Sequence, residues 1–433
     1  MSSNLARRLS VLLYLAGVGI YFFVNFQRTA VPGTIFNEMQ VDLNVSATTL
    51  AGLGAMFLYT YAFLQFVTGL LADKYGGLRL QIISGFLLSV GSLLFPFVHT
   101  TFGLYTSRLL VGLGAGLAYI SAFKETDRLF PKNFILMMSF LLTVGYSGGI
   151  FAGWPLAKLV AWTGSWRKAM LIPGVLLTIN FFLFLILEMH EQKPPVANVP
   201  LSLKPIREVA CSFFFLNYEV THNIPYAIYM VLLTVIGKKM IEDMTGCTSA
   251  QAAIGTTCMV IISSGFNFIA ALISKALHNR RVIVYQASEV CGILGCVIIL
   301  IGTIIHIHYL WFVLAFVGVS MFPGCSPVMA AMVRENVPSR LAATTVSVDN
   351  GFAFITMAIF SNICGWMMDF FGGDKIEHIG TSLRYPSSSY SAIAVLFIIL
   401  YSISFWRTFY IPETYGKNIV DNPPTKKKAQ TAT

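Results

Sequence analysis

The chain has 433 residues, of which 56% are hydrophobic and 11% charged, with a mean hydropathy of +0.72. That balance excludes a water-soluble globular protein and points to an integral membrane protein. The net charge of +10 does not mark a nucleic-acid binder, because the basic residues fall in short stretches between apolar runs, where they orient spans in the bilayer.

Apolar runs long enough to cross about 30 Å of hydrocarbon begin near Leu9, Thr48, Leu78, Phe102, Phe134, Ala169, Val209, Ala250, Val282, Leu310, Leu341 and Ser391. They predict about twelve transmembrane helices. Arg7 and Arg8 precede the first run, but no small-residue cleavage site follows before Asn25, so the first span is expected to be retained. That run carries Arg28 toward its far end, on a helix expected to continue toward Phe36. Tyr21, Asn25 and Arg28 are spaced i, i+4, i+7 and share one face. An ionised side chain facing lipid costs about 2.5 to 3.5 kcal/mol on the lenient insertion scale, so Arg28 is expected to face a wet interior and attract an anionic solute group. Snorkelling to the outer surface is the alternative reading.

The second run ends in Gln65 to Arg79, QFVTGLLADKYGGLR, where an apolar helix meets water through an acid, two bases and two glycines. Gly69, Asp73, Lys74, Gly76, Gly77 and Arg79 resemble the loop between helices two and three of the major facilitator superfamily, with one extra residue before the last base. The resemblance implies an all-α integral membrane fold of twelve transmembrane helices in two pseudo-symmetric six-helix bundles. It also implies a conformational latch involving Gly69, Asp73, Lys74 and Arg79, with Glu125 of the AFKETDRLFP stretch as a plausible acidic partner.

In the fourth run, Arg108 followed by Gly112, Gly114 and Gly116 is similar to the superfamily's fourth-helix pattern. The resemblance associates Arg108 with coupling or closure, and bracing of backbone carbonyls is the competing reading. Gly145, Gly149 and Gly153 in the fifth run, spaced by four, predict close packing against another helix. The Gly-Pro-x-x-Gly-Gly signature of the superfamily's drug and proton antiporters is absent there.

Residues 191–207 hold Pro194, Pro195, Pro200 and Pro205 and read as a cytoplasmic linker between halves at 1–190 and 208–413, with a disordered tail at 414–433. AALISKALHNRR, Ala270 to Arg281, repeats the end of the second run weakly, with Ser274, Lys275 and Arg280 in place of Asp73, Lys74 and Arg79. With the termini placed in the cytoplasm, roughly twenty basic residues fall inside and about eight outside. Lys158, Arg167, Lys168, Lys238 and Lys239 run against that count.

The seventh run, FFFLNYEVTHNIPYAIYM, places Glu219, His222, Asn223 and Tyr226 in a polar stripe on one face, with Pro225 able to kink it. Glu219 and His222 are candidates for proton coupling, against a structurally satisfied pair, and Asp349 is a second acidic candidate whose nearness to Arg340 leaves interfacial pairing open. His306 and His308, two apart, point to different faces, the seven cysteines show no ligand spacing, and no metal or cofactor is expected.

The expected function is secondary active transport of a small polar solute, an organic anion or amino acid, by alternating access with proton symport. Tyr21, Asn25, Arg28, Tyr59, Gln65, Tyr119, Tyr146, Asn223, Tyr226 and Asn267 are the expected solute contacts, and Glu219, His222, Arg108 and Asp349 the coupling groups. The first-helix arginine and YAFLQFVTGLLADKYG also resemble, loosely, the branch with organic-anion and sugar-phosphate carriers and bacterial nutrient importers. A proton-driven exporter of a metabolite or siderophore-like compound and a carrier-fold sensor remain open. An enzyme is not expected, since no nucleophile, base and orienter occur together. The expected partners are a small solute, protons and the lipid bilayer, for a monomer in the inner (cytoplasmic) membrane.

Overall fold

The computed structural model describes residues 3–130, 134–191, 204–305, 307–338, 342–379 and 382–421, and some side chains within those helices, at 69, 73 and 127 among others, fall outside the description. Most of the expected linker, His306, Arg340 and the tail beyond 421 therefore lie outside the described residues.

In hydrocarbon a segment must satisfy its own backbone groups, so apolar sequence becomes helix. The first half contains α1 (Ser3–Ala30), α2 (Phe36–Leu43), α3 (Ala47–Tyr75), α4 (Gly77–Leu94), α5 (Thr101–Leu129), α6 (Phe134–Ala152), α7 (Trp154–Thr163) and α8 (Trp166–Glu188). The second contains α9 (Lys204–Ala210), α10 (Phe213–Val231), α11 (Gly237–Thr245), α12 (Ser249–Ala276), α13 (Arg281–Ile305), α14 (Tyr309–Ser320), α15 (Ser326–Asn336), α16 (Ala342–Gly372) and α17 (Ser387–Thr408). Among the described residues eleven helical segments are long and apolar enough to cross a membrane, and up to twelve when α6 and α7, bent by 42°, count as one span. A hairpin of β1 (Glu377–Ile379) and β2 (Ser382–Arg384), with Glu377 opposite Arg384, joins α16 to α17. This short sheet is an addition to the all-helical expectation.

Helix starts follow local chemistry. Ser46, Thr100 and Ser212 accept the amides of Thr49, Gly103 and Phe215, and Thr248 with Gln251 forms a capping box at α12. Gly76 stops α3 with φ of 82°, a conformation in which a Cβ is costly. Besides the bent α6–α7 pair, three spans are interrupted. α1 ends at Ala30, short of the expected Phe36, and the same span resumes as α2. α10 passes through a π-helical segment at Leu232–Ile236 into α11, and α14 passes through a turn at Pro323–Cys325 into α15. Interrupted backbone at membrane depth is tolerated where protein or water satisfies it.

The halves meet along α3 and α16, between α12 and the bent pair α6–α7, and where α1 reaches the π-helical segment of the seventh span. The small residues explain the close approaches. A Cβ at Gly114 would lie 2.7 Å from the Ser84 carbonyl oxygen, and one at Gly145 would overlap the Tyr21 ring. The expected disorder of the tail does not extend to its first part: Thr414 is buried, Ile419 N–H donates to the Glu335 carbonyl and Asn418 Nδ2 to the Val337 carbonyl. Those bonds tie 414–421 to the end of α15.

Candidate functional site

Arg28 sits on the last turn of α1, held by its own helix: Nη2 donates to Asn25 Oδ1 at 2.7 Å, and Asn25 Nδ2 donates to the Tyr21 carbonyl at 3.1 Å. The guanidinium is bordered by Tyr21, Tyr61 of α3, Tyr146 of α6 and, across the seam, Tyr226 of α10. Among the described residues no carboxylate pairs with it, and its Nε is buried without an acceptor. Tyr119 of α5 stacks obliquely on Tyr21 at 5.6 Å, and Tyr229 OH lies 3.1 Å from Ser263 Oγ of α12. Tyr146 is the partly exposed member of this cluster, while Tyr21 and Tyr61 are buried.

The structure therefore brings together Tyr21, Asn25, Arg28, Tyr119, Tyr146 and Tyr226 from the expected set. Gln65 lies one turn from Tyr61 on the same face, buried with Nε2 unpartnered, and Asn267, one turn beyond Ser263, has a buried, unpartnered Oδ1. Tyr59 is placed elsewhere: it is 39% exposed, and its hydroxyl takes a bond from Asn362 at 3.3 Å. Two residues along a helix turn a side chain by about 200°, so Tyr61, which the sequence reading passed over, occupies the face expected of Tyr59. Tyr229 was also passed over.

The polar stripe of α10 continues this cluster. His222 Nδ1 lies 2.9 Å from Asp349 Oδ1 of α16, and the imidazole stacks between Tyr218 at 5.2 Å and Tyr226 at 5.8 Å. Asn223 Nδ2 bonds Glu219 Oε2, and the Glu219 carboxyl also faces Asp349, its hydrogen-bonding and electrostatic neighbour. The competing reading of a satisfied Glu219–His222 pair gives way to His222–Asp349 and Glu219–Asn223, because α16 packs against this face. Tyr226 borders both Arg28 and Asp349, and so joins the cationic and acidic parts.

Arg108 is 1% exposed, donates to the carbonyls of Gln27 and Val31 at 3.3 and 3.2 Å, and lies over the Phe57 ring at 4.9 Å. Its contacts brace the C-terminal end of α1, where unpaired carbonyls attract a cation. Of the expected latch, the side-chain surroundings of Gly69 and Asp73 lie outside the described residues. Glu125 pairs with Arg128 at 2.8 Å, and Arg128 with Glu191 at 2.8 Å, while Lys74 lies over the Tyr75 ring at 5.4 Å. The second half repeats the arrangement: Arg281 pairs with Glu335 at 3.0 Å, bonds Ser274 at 3.0 Å, and Glu413 accepts the amides of Arg281 and Val282.

At the opposite end of the molecule Lys238 and Lys239 are each 1% exposed. Lys238 pairs with Glu242 at 3.4 Å and, across the seam, with Glu38 at 3.5 Å, and it bonds the Thr34 carbonyl. Lys239 pairs with Asp243 at 2.8 Å, and Arg167 with Asp42 at 2.7 Å. These bases run against the charge count because they serve protein partners rather than headgroups. Asp369 of α16 takes the amides of Ala47 and Thr48, and Tyr385 beside it bonds Gln40. Burial, with Asp369 adjacent, pushes the Tyr385 phenol above its ordinary pKa, so it stays a donor at neutral pH.

A family model described as Major Facilitator Superfamily matches residues 18–361. Among curated proteins the chain is 27% identical over 208 residues to an uncharacterized transporter, YybO, of Bacillus subtilis (strain 168), covering 47% of this chain and 44% of that protein. It is 24% identical over 232 residues to a hexuronate transporter of the same organism, covering 49% and 53%. The matches thus span about half the length of these relatives. Among solved structures, a nucleoside transporter, NupG, gives a TM-score of 0.74 at 14% identity over 93% of this chain and 99% of that one. A bacterial homologue of the lysosomal transporter Spinster, inward-facing and unoccupied, gives 0.75 at 15% over 96% and 99%. With the family model covering most of its length and two helical halves facing each other across a polar seam, the chain belongs to the major facilitator superfamily.

Proposed function

We propose that this protein is a secondary active transporter that carries a small organic anion across the membrane by alternating access, with a proton moving in the same direction. The observation that carries this reading is Arg28, a cation at the seam with no carboxylate of its own, ringed by tyrosines and facing an acidic cluster on the other half. A solute carboxylate or phosphate supplies the missing anion, and the phenols bond its polar body.

Glu219, Asp349 and His222 support the coupling. With His222 charged and both acids ionised, the cluster holds one surplus negative charge inside the membrane. An added proton removes it and gives one carboxylate a hydrogen to donate to the other. The ion pairing at the Lys238 end, with Glu38 and Glu242, supports a state closed on that side, and breaking it opens the site there. With the termini in the cytoplasm, that side is outside.

The relative named for hexuronate places sugar acids in the first screen. A thermal-shift panel of sugar acids, sugar phosphates, dicarboxylates and amino acids on purified protein, followed by uptake into proteoliposomes under an inward proton gradient, tests the reading. Stabilisation by an anion and its gradient-driven accumulation are expected. Solute extrusion against the gradient would favour an exporter, and binding without exchange across the bilayer would favour a sensor.

A further inference from the structure

Glu289 lies in the middle of α13, fully buried, away from the seam, and takes no part in the site described above. Among the described residues it has no ion-pair partner; Ser404 of α17 donates Oγ–H to its Oε1 at 3.0 Å. The same hydroxyl lies 3.1 Å from the Thr221 carbonyl of α10, and a hydroxyl has one hydrogen for these two acceptors.

Glu289 Oε2 and Tyr401 OH are buried without a hydrogen-bond partner among the described residues, and the Tyr285 hydroxyl, equally buried, faces Thr221; both tyrosines are fully covered. Tyr285 stands one turn before Glu289 on α13, and Tyr401 approaches through the gap left by Gly292 one turn after it, where a Cβ would be 2.6 Å from the ring. Both phenols are electrostatic neighbours of Glu289. Orphaned buried polar atoms are rare, and an unpaired carboxylate with its own Oε2 and a neighbouring phenol both orphaned, beside a second buried phenol, has the makings of a binding site.

We infer that Glu289, Ser404, Thr221, Tyr285 and Tyr401 form a second cation site, inside the C-terminal half, that takes one monovalent cation, supplied as sodium or as a proton. The donors are all oxygen, which suits a hard cation, and the single carboxylate balances one charge where a divalent ion would leave a surplus. A bound proton on Oε1 turns the Ser404 hydroxyl toward the Thr221 carbonyl; a sodium ion gathers the orphaned oxygens. Either occupant acts on the backbone of α10 between Glu219 and His222. The other titratable groups facing this pocket are Tyr218 of α10, Cys296 of α13 and, toward α16, Asp349; α14 meets α13 through Phe312, Ala315 and Val319, and the turn before α15 presents Cys325.

The test uses the full chain in lipid nanodiscs. Thermal unfolding is followed in sodium against potassium chloride at constant ionic strength, and the carboxylic C=O stretch is titrated by infrared spectroscopy from pH 5 to 9. A saturable sodium-specific rise in unfolding temperature that disappears in Glu289→Gln identifies sodium. A titrating carboxyl band without a sodium effect, absent in Glu289→Gln, identifies the proton. Neither signal, or a sodium effect and a band that both persist in Glu289→Gln, overturns the site. If Glu289→Gln does not fold, Ser404→Ala and Tyr401→Phe keep the carboxylate and are expected to weaken sodium binding about five- to tenfold, or to shift the band midpoint measurably. Wild-type midpoints in both variants overturn the site equally.

Discussion

The two halves of the molecule are built alike but furnished differently. Each carries an arginine–carboxylate cluster: Arg128 at the end of α5 with Glu125 and with Glu191 after α8 in one, and Arg281 at the start of α13 with Glu335 at the end of α15 in the other. Their interiors diverge. The first half carries Arg28 and Arg108 in its interior, whereas the second carries Glu219, Asp349, His222 and Glu289. On the function proposed above, the unshared charges divide labour: cations toward an anionic solute, acids toward a small cation. In the proposed alternating-access cycle, separating the two kinds of charge by half would let the motion of the halves bring them together or apart.

That contrast is open to breakage from the acidic side first. Glu219→Gln is expected to abolish accumulation driven by a pH gradient while leaving solute counterflow; accumulation at the wild-type level removes Glu219 from coupling. The next effect belongs to the seam. Lys238→Met strips Glu38 and Glu242 of a buried cation, a loss of about 3 to 5 kcal/mol that falls on the closed arrangement. Spin labels on α2 and α11 are expected to report the Lys238 end opening in most molecules, and an unchanged distance distribution assigns Lys238 a purely local role.

On the cationic side, Arg28→Ala removes charge-assisted hydrogen bonds worth about 1.5 to 3 kcal/mol, so an anionic solute is expected to bind about ten- to a hundredfold more weakly, and a neutral analogue nearly as before. Equal losses for both make Arg28 structural. Arg108→Ala serves as the control within the same half. It is expected to lower thermal stability by leaving the Gln27 and Val31 carbonyls bare, with less change in solute affinity than Arg28→Ala. The smallest expected effect is the sharpest: Tyr61→Phe is expected to weaken binding about fivefold and Tyr59→Phe not at all, since only the first hydroxyl borders Arg28. Reversed results place the solute on the other face of α3.

How much of this was legible beforehand follows from what each residue's role depends on. The spans were readable because hydropathy over some twenty residues is a local property, and the loop at Gln65 to Arg79 carries its turn chemistry in its own letters. Arg28 with Asn25 and Tyr21 was readable because i, i+4 spacing decides a shared face within one helix. Glu289 is equally visible as a lone acid in an apolar run, VYQASEVCGIL, but its neighbours in sequence carry no charge, and the groups that set it apart, Ser404 and Tyr401, come from another helix. Tyr61 and Tyr59 differ only in which neighbour their helix presents them to.

From the sequence alone came the membrane class, the spans, the interrupted repeat and the charges that hydrocarbon makes costly, since each depends on a few consecutive residues and the solvent around them. The partners of those charges came only from tertiary packing: His222 with Asp349 across 127 positions, Lys238 with Glu38 from the other half, Ser404 between Glu289 and Thr221. A helix tells which side chains share a face, but not which other helix will cover it, and in a membrane that choice rests on shape and hydrogen bonding between distant segments.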